Sequence, residues 1–574
     1  MRNRSSFKRE SVVLILTALF YLLLWISLPK PSFWVLDNGI KFQGARSLVE
    51  TGELCIDYDG SDFDPAGNFR PLPHPFSIMK DGRQIPAFSA LFMLLSAILI
   101  KIFGNSGSFL LSLLGGYGVL LACWLLWSRT RPDHDGRVYL VLIGLATPLL
   151  FYSLSLWEHS LATALVIFSI ALLIPRNDIE AEEQSRWFVF VSGIILGFSA
   201  GFRTETIILI VLFPAFWKFT GRTLRNLMEF IIGVLVGLAG IGLINLWLTG
   251  DVRPLHLLTN AAYPWDVGIS GFIRRTIDSG YGLLFSGFRS KLLSLGLVSV
   301  MIVAGIWIKW RKNWLLSLIL GIAVLAVWLT WVIVSMGVSN RISYTINSGG
   351  LFWVMPLIIL CLLPLKSTRF SKYKRLIWLV SVFYLLSVIL LAPITRGIHW
   401  GPRLLLPIIP LLVFLSVARA QQWWGKYRPA RWLIVALASI SILGQLYSFS
   451  LLYQARSRSE SLNRWITTLP TEENIQSWAF VSSRDASLTN MWWLPGDVAL
   501  HSDRTPWYLT DTPDGLNYVI NSLRKRGELR FIFYEQPPYV PKDIWWRLGV
   551  EVKGQDYFLG DDARLRRNWM RIYK

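Results

Sequence analysis

Apolar runs long enough to cross a bilayer recur from Ser11 to Ser450, separated by short polar or basic connectors. A helix rises about 1.5 Å per residue, so about 20 apolar residues cross a hydrocarbon core of about 30 Å. The first run covers residues 11–28. Later runs cover 108–127, 138–156, 159–175, 187–200, 204–219, 227–248, 290–308, 314–336, 349–365, 376–394, 403–418 and 432–450. Together they predict about thirteen spans. They are too long for the alternating strands of a membrane barrel. Two of them, 187–200 and 204–219, are short for a full crossing.

Past residue 455 the pattern changes. Alternating runs at Trp478–Ser482, Leu529–Tyr534 and Trp569–Tyr573 read as strands, and Leu516–Arg526 reads as a helix. The expected fold class is an all-α polytopic membrane protein with about thirteen transmembrane helices and a small C-terminal extracytoplasmic α/β domain. Its parts are a membrane domain at 1–454, with outer loops at 29–107 and 249–289, and the α/β domain at 455–574.

Residues 86–104 decide the topology. They are apolar enough to span, and Pro86 could open a helix there. If they span, the clusters around Arg129/Arg131/Arg137, Lys218/Arg222/Arg225, Lys309/Arg311/Lys312 and Lys366–Arg375 all face outward, against the positive-inside rule. If they form a re-entrant or interfacial helix, every cluster faces the cytoplasm. The second arrangement is therefore expected. It puts the N-terminus inside, behind Arg2, Arg4, Lys8 and Arg9, and the C-terminus outside.

The net charge of +21 would suit a nucleic-acid binder if it formed one patch. It is scattered between apolar runs instead, so no nucleic-acid partner is expected. The three cysteines support neither a disulfide framework nor a zinc site. No phosphate-binding loop, dinucleotide fingerprint or zinc-peptidase helix is present. Asp57, Asp59, Asp62 and Asp64 only partly resemble a calcium loop, because Gly60 is misplaced and no glutamate closes it. They read as a solvated acidic loop, able at most to bind a divalent cation weakly.

The candidate chemistry lies at the outer ends of the predicted spans. Asp37 directly follows the first span. It can cap a helix whose apolar stripe is Ile40, Ala45, Leu48 and Val49 and whose end is Gly52. Glu158 and His159 join two spans with almost no loop. Arg203 with Glu205, and His399 with Arg403, occupy two further turns. Charges at span ends are costly and mark function by default. The plainer alternatives are helix capping for Asp37 and Glu158 and snorkelling for Arg403. A guanidinium at Arg403 can also bind a lipid-linked phosphate bidentately, and Lys80 and Arg83 are further phosphate candidates.

These segments, in this order, resemble the glycosyltransferase C superfamily. The closer likeness is to its bacterial branch related to protein O-mannosyltransferases and the lipid A aminoarabinose transferase. The resemblance covers nearly the whole chain. It rests on Asp37–Glu53, the Phe103-Gly104 helix end, Tyr152–His159, Gly201–Glu205 and Gly401–Pro407. It implies a cell-envelope enzyme of the bacterial inner membrane that uses a polyprenyl-phosphate sugar, hexose or pentose, on the outer face. The acceptor would be a lipid, glycan or protein. Asp37 would be the base or acceptor-orienting group, with Glu158 a second carboxylate. A divalent cation, Mg or Mn, would be held, if at all, by Asp37 and Glu158. His159, Arg83, Lys80, Arg203, Glu205, His399 and Arg403 would bind substrate.

The residues fit that chemistry independently. A base must take the acceptor proton while positive charge stabilises the departing phosphate. One base-side carboxylate without a second nucleophilic one implies inversion. Two rivals share the membrane architecture. A transporter or flippase for lipid-linked glycans would need charges along a path through both leaflets. An O-antigen polymerase or ligase would not need a carboxylate directly after the first span.

Overall fold

A computed structural model describes residues 4–70, 72, 76–80, 82–131, 134–175, 186–261, 268–286, 349–362, 372–392, 399–426, 428–472, 479–483, 507–510, 512–526, 531–535 and 569–573. The chain begins with α1 (Arg4–Ser27), α2 (Leu36–Glu50), β1 (Ile56–Asp57), β2 (Ser77–Lys80), β3 (Arg83–Pro86), α3 (Ala90–Phe103) and α4 (Gly107–Thr130). Next come α5 (Arg137–Leu145), α6 (Leu149–Leu154), α7 (His159–Leu173), α8 (Arg186–Ser199), α9 (Ile207–Ala215), α10 (Leu224–Thr249), α11 (Leu255–Ala261) and α12 (Gly268–Leu284). The rest holds α13 (Leu351–Val354), α14 (Ile359–Leu362), α15 (Lys372–Leu391), α16 (Ile409–Lys426), α17 (Arg428–Glu472), β4 (Ala479–Ser483), β5 (Trp507–Thr510), α18 (Pro513–Lys525), β6 (Phe531–Glu535) and β7 (Trp569–Tyr573).

Two compact units result. One comprises Met1–Ser27, Phe109–Leu246 and Tyr263–Leu451; the other comprises Leu28–Ser108, Trp247–Ala262 and Leu452–Lys574. The sequence reading set the tail apart from residue 455, whereas here the tail and the first polar loop share a unit. The helix before the tail also runs on. α17 has 45 residues and passes well beyond the apolar run that predicted it.

Six helical stretches among the described residues are long and apolar enough to cross a membrane: Lys8–Ser27, Gly107–Thr130, Leu224–Thr249, Tyr373–Leu391, Arg403–Gly425 and Ala430–Ser457. The expected runs 290–308 and 314–336 lie outside the described residues. Others are short or broken. The run 138–156 divides at Pro148, which lacks the N–H a continuing helix needs, into α5 and α6. The run 204–219 is a 3₁₀ turn, the short α9 and a second 3₁₀ turn.

In the first unit, α8 and α10 meet through glycines. A Cβ at Gly193 would strike the Phe230 carbonyl oxygen, and one at Gly197 the Val234 oxygen. Reciprocally, Gly233 faces the Phe190 oxygen and Gly237 the Ile194 oxygen. Small residues four apart let the two backbones touch, which is how helices associate where burial from water supplies no drive.

Two arginines of this unit meet at the far end of α7. Arg129 Nη1 donates to the carbonyls of Leu172 (3.4 Å) and Ile174 (3.1 Å), and Arg222 Nε to that of Leu173 (3.1 Å). Both guanidiniums thus complete the C-terminus of α7, where positive charge is favoured. Glu10 of α1 sits at the same end of α4, accepting from Trp124 Nε1 and the Gly136 amide at 2.9 Å each. α7 has 15 residues. Its N-terminus, with Glu158 and His159, therefore lies about 22 Å from those basic caps.

In the second unit, α3 has 14 residues, about 21 Å, short of a hydrocarbon core. Pro86 does not open it. That proline pairs with Ser77 at the end of β3, and Ser89 caps the helix by accepting from the Phe92 amide at 3.1 Å. β1, β3 and β2 form a small antiparallel sheet that the sequence reading missed. The tail strands form a second sheet in the order β5-β4-β6-β7, parallel except for β7. β5 was also missed.

The acidic loop is not merely solvated. Arg526 forks onto the Asp62 carboxylate, reaches Asp59 Oδ2 at 3.2 Å and lies 5.0 Å over the Phe63 ring. Tyr508 donates to Asp59 at 3.1 Å, and Tyr518 donates to the Phe63 carbonyl at 2.6 Å. Asp64 accepts from Tyr58 Oη (2.7 Å), Asn68 (3.1 Å) and the Phe69 amide (2.8 Å). The tail supplies the countercharge that calcium would have brought.

Gly233→Leu should destabilise the protein by about 1–3 kcal/mol or more, because the α10 contact has no room for a side chain. Gly240→Ala, whose added carbon meets only Phe198 at 3.5 Å, should be nearly neutral. Thermal unfolding in detergent checks both; equal behaviour would mean the backbones do not touch.

Candidate functional site

The first unit buries an ion triad at one set of helix ends. Arg203 Nη1 donates to Glu158 Oε1 at 3.0 Å and its Nε to Glu205 Oε1 at 2.8 Å. The side chains are 9% (Arg203), 3% (Glu158) and 11% (Glu205) exposed. Burial lowers the guanidinium's proton affinity, but the carboxylates of Glu205 and Glu158 outweigh it and hold its pKa above the ordinary value. The triad therefore keeps its positive centre at any physiological pH.

Each member is fixed by its element. Glu158 occupies the position before α7 but makes no side-chain cap, so capping is not its role. Its turn is pinned to α4: the Trp157 amide donates to Ser112 Oγ (3.1 Å), and Ser160 Oγ donates to the Ser112 carbonyl (2.9 Å). Gly115 permits the approach, since a Cβ there would come within 2.6 Å of Ser160 Oγ. Arg203 follows α8 in extended conformation, held by Thr206 Oγ1 donating to its carbonyl at 2.8 Å.

Arg403 opens a 3₁₀ segment, Arg403–Ile408. The preceding turn needs Gly401, whose φ is +69°. His399 Nδ1 lies 2.7 Å from the Gly401 carbonyl, so this buried histidine orders the turn. Arg403 and Arg203 both lie within electrostatic reach of the buried Tyr152 hydroxyl. Tyr152 stacks on His159 with centroids 4.9 Å apart. Tyr384 donates to the Leu404 carbonyl at 3.0 Å and lies within reach of Glu205 and Arg203. Glu158, His159, Arg203, Glu205 and Arg403 thus converge, and the structure adds Tyr152 and Tyr384. Tyr152 fell inside a segment already singled out; Tyr384 lies in an ordinary apolar run with no local signal.

Asp37, Lys80 and Arg83 belong to the second unit. α2 begins at Leu36 with Val35 at the cap position, so Asp37 is in the first turn and does not cap the helix. A carboxylate there complements the helix dipole. The predicted stripe holds in part: Ile40 and Ala45 are fully buried, while Val49 is 37% exposed. Asn38 to Ala45 are buried, so this half of α2 is not a surface helix.

Cations surround the start of α2. Arg456 of α17, 1% exposed, donates from Nε to Ser32 Oγ at 3.3 Å, and Ser459 Oγ accepts from the Phe33 amide at 2.9 Å. Lys30 is lowered to about 8 by burial and by neighbouring Arg456. It is charged at neutral pH and loses its proton near pH 8. Ser32 is five residues from Asp37, at most about 18 Å along an extended chain. Lys41, one helical turn after Asp37, is 1% exposed, with Nζ 4.9 Å over the Phe88 ring. The sequence reading named none of these three.

Lys80 and Arg83 face each other across the β2–β3 hairpin. They line a cavity of about 490 Å³ with Glu53, Cys55, Trp247 and Thr249. Arg83 pairs with Glu53, and Lys80 donates to the Thr249 carbonyl at 3.3 Å. Glu53 lies past the far end of α2, so this cavity is about 20 Å from Asp37. Among the described residues no three His, Cys, Asp or Glu side chains are grouped to hold a metal ion, and Glu158 is engaged by Arg203.

No protein-family profile and no curated protein matches the chain. Solved structures with a similar chain course include ArnT from Cupriavidus metallidurans, apo and bound to undecaprenyl phosphate. These share 12% and 13% identity over 97% of each chain, with a TM-score of 0.48. Another is the oligosaccharyltransferase AglB from Archaeoglobus fulgidus in complex with an inhibitory peptide and a dolichol-phosphate. It shares 12% identity over 92% of this chain and 70% of that one, with a TM-score of 0.44. These likenesses concern the course of the chain alone. At this identity and TM-score no residue role passes from them to it.

Arg203→Ala leaves two carboxylates buried without their cation and should cost about 3–5 kcal/mol. Glu158→Gln keeps a hydrogen-bond acceptor and should cost less. Thermal unfolding of the purified variants distinguishes them; an Arg203→Ala protein as stable as wild type would contradict the triad.

Proposed function

We propose that this chain is an inverting, polyprenyl-phosphate-dependent glycosyltransferase of the bacterial inner membrane. It moves a hexose or pentose to a lipid, glycan or protein acceptor at the outer face, with its N-terminus in the cytoplasm and its tail outside. The observation that carries this reading is the start of α2, where Asp37 follows the Lys30–Val35 segment held by buried Arg456.

The chemistry follows from charge. A sugar on a lipid phosphate already has its leaving group, so the enzyme must withdraw a proton from the acceptor and hold the phosphate as negative charge develops. Asp37 supplies the base. Lys30 and Arg456 supply positive charge in surroundings poor in water, where each interaction is stronger than in bulk. A single attack opposite the departing phosphate inverts the anomeric carbon. The Arg203 triad, Arg403, Tyr152, His159 and His399 are the binding groups of the other unit, and Lys80 and Arg83 line an accessory polar cavity.

Asp37→Asn preserves shape and removes the base. The lost helix-dipole interaction is worth about 0.3–1 kcal/mol, so the fold should persist. Transfer should fall about 10²–10⁴-fold. The measurement is release of polyprenyl phosphate from polyprenyl-phosphate hexoses and pentoses, using variant protein that elutes and melts like wild type. Turnover within a few-fold of wild type would remove Asp37 from the chemistry and move the search to Glu158.

A further inference from the structure

At the opposite end of the first unit from the triad, one guanidinium stands out. Its neighbours have evident partners: Arg129 and Arg222 donate to the last carbonyls of α7, and Arg137 pairs with Asp135. Arg131, the residue after α4, has none among the described residues. It is 8% exposed, its Nη1 is buried with no hydrogen-bond acceptor, and no described hydrogen bond or ion pair involves its guanidinium.

The group is nonetheless held in place. Its Cζ lies 5.1 Å over the Trp127 ring. Trp127 donates to the His134 carbonyl at 3.0 Å, stacks on Tyr139 at 5.0 Å and meets the edge of Phe414 at 5.3 Å. A second cation, Lys374 in the first turn of α15, lies within electrostatic reach of Arg131. An aromatic face attracts a cation weakly, and two like charges repel. A buried cation in this setting calls for an anion from outside the chain.

The chemistry of that anion follows from the donors. A planar guanidinium beside an ammonium matches a phosphate, forked on one side and met by a point charge on the other. The place selects the carrier. α4 and α15 are both long and apolar enough to span, and the pair lies where they end and begin, beside the basic clusters. Basic pockets between spans at such a level bind lipid head groups. We propose that Arg131 and Lys374 seat the phosphate of an anionic membrane lipid. This site is independent of the donor chemistry around Asp37.

The test is native mass spectrometry of the full-length protein in detergent, titrated with phosphatidylglycerol, phosphatidylcholine or inorganic phosphate, with thermal unfolding alongside. Wild type should retain phosphatidylglycerol over phosphatidylcholine and melt higher with it. Arg131→Gln and Lys374→Gln should each weaken that retention about tenfold, the loss expected for a hydrogen bond to a charged group. Without lipid, Arg131→Gln should melt no lower than wild type, because it removes an uncompensated charge. Equal retention of both lipids, or variants that bind phosphatidylglycerol like wild type, would overturn the proposal. Inorganic phosphate displacing the lipid at equal concentration would overturn the lipid as source. If Arg131→Gln fails to fold, the Lys374→Gln comparison decides alone.

Discussion

A guanidinium enclosed among helix ends needs acceptors for its charge, and at one end of the first unit two carboxylates supply them. Arg203 sits between Glu158 and Glu205, each within 3.0 Å. Meeting both needs α7 to start one residue after Glu158 and α8 to end just before Arg203. Ser112 and Gly115 of α4 bring the first turn into place, and Thr206 locks the second. Removing the cation would leave two buried negative charges, which costs more than most packing defects. Its aromatic and hydroxyl surround, Tyr152, His159 and Tyr384, is thereby fixed as well.

The second unit solves a related problem differently. Its carboxylate, Asp37, is carried on the first turn of a half-buried helix, and its cations come from near and far in the chain. Lys30 precedes that helix and Arg456 arrives from α17 more than four hundred residues later. The loop after α2 is held by Arg526, which gathers Asp59 and Asp62. The second unit thus joins the start and the end of the sequence through charge as well as through packing.

Much of this was legible in the sequence because the hydrocarbon core permits few solutions. Apolar runs marked α1, α4, α10, α15 and α17, and charges next to those runs pointed to Glu158, Arg203 and Arg403. The alternating tail runs found β4, β6 and β7 to within a few residues. What escaped depends on distant partners. Arg456 carries no local signal, because nothing near it in the sequence shows that it reaches Ser32. The glycines of α8 and α10 mean little until both helices are seen to use the same spacing. The β2–β3 hairpin lies in a polar loop without clear alternation. Asp37 read as a cap because helix starts shift by a residue in any sequence-based reading.

The central claim is that the chain transfers a sugar from a lipid phosphate. Mass spectrometry of envelope glycans, glycolipids and polyprenyl-phosphate sugars, from cells with and without the gene, tests it most directly. Loss of one sugar from a defined acceptor, with accumulation of the matching polyprenyl-phosphate sugar, is the predicted result. An unchanged set of acceptors together with an unchanged donor pool would contradict it.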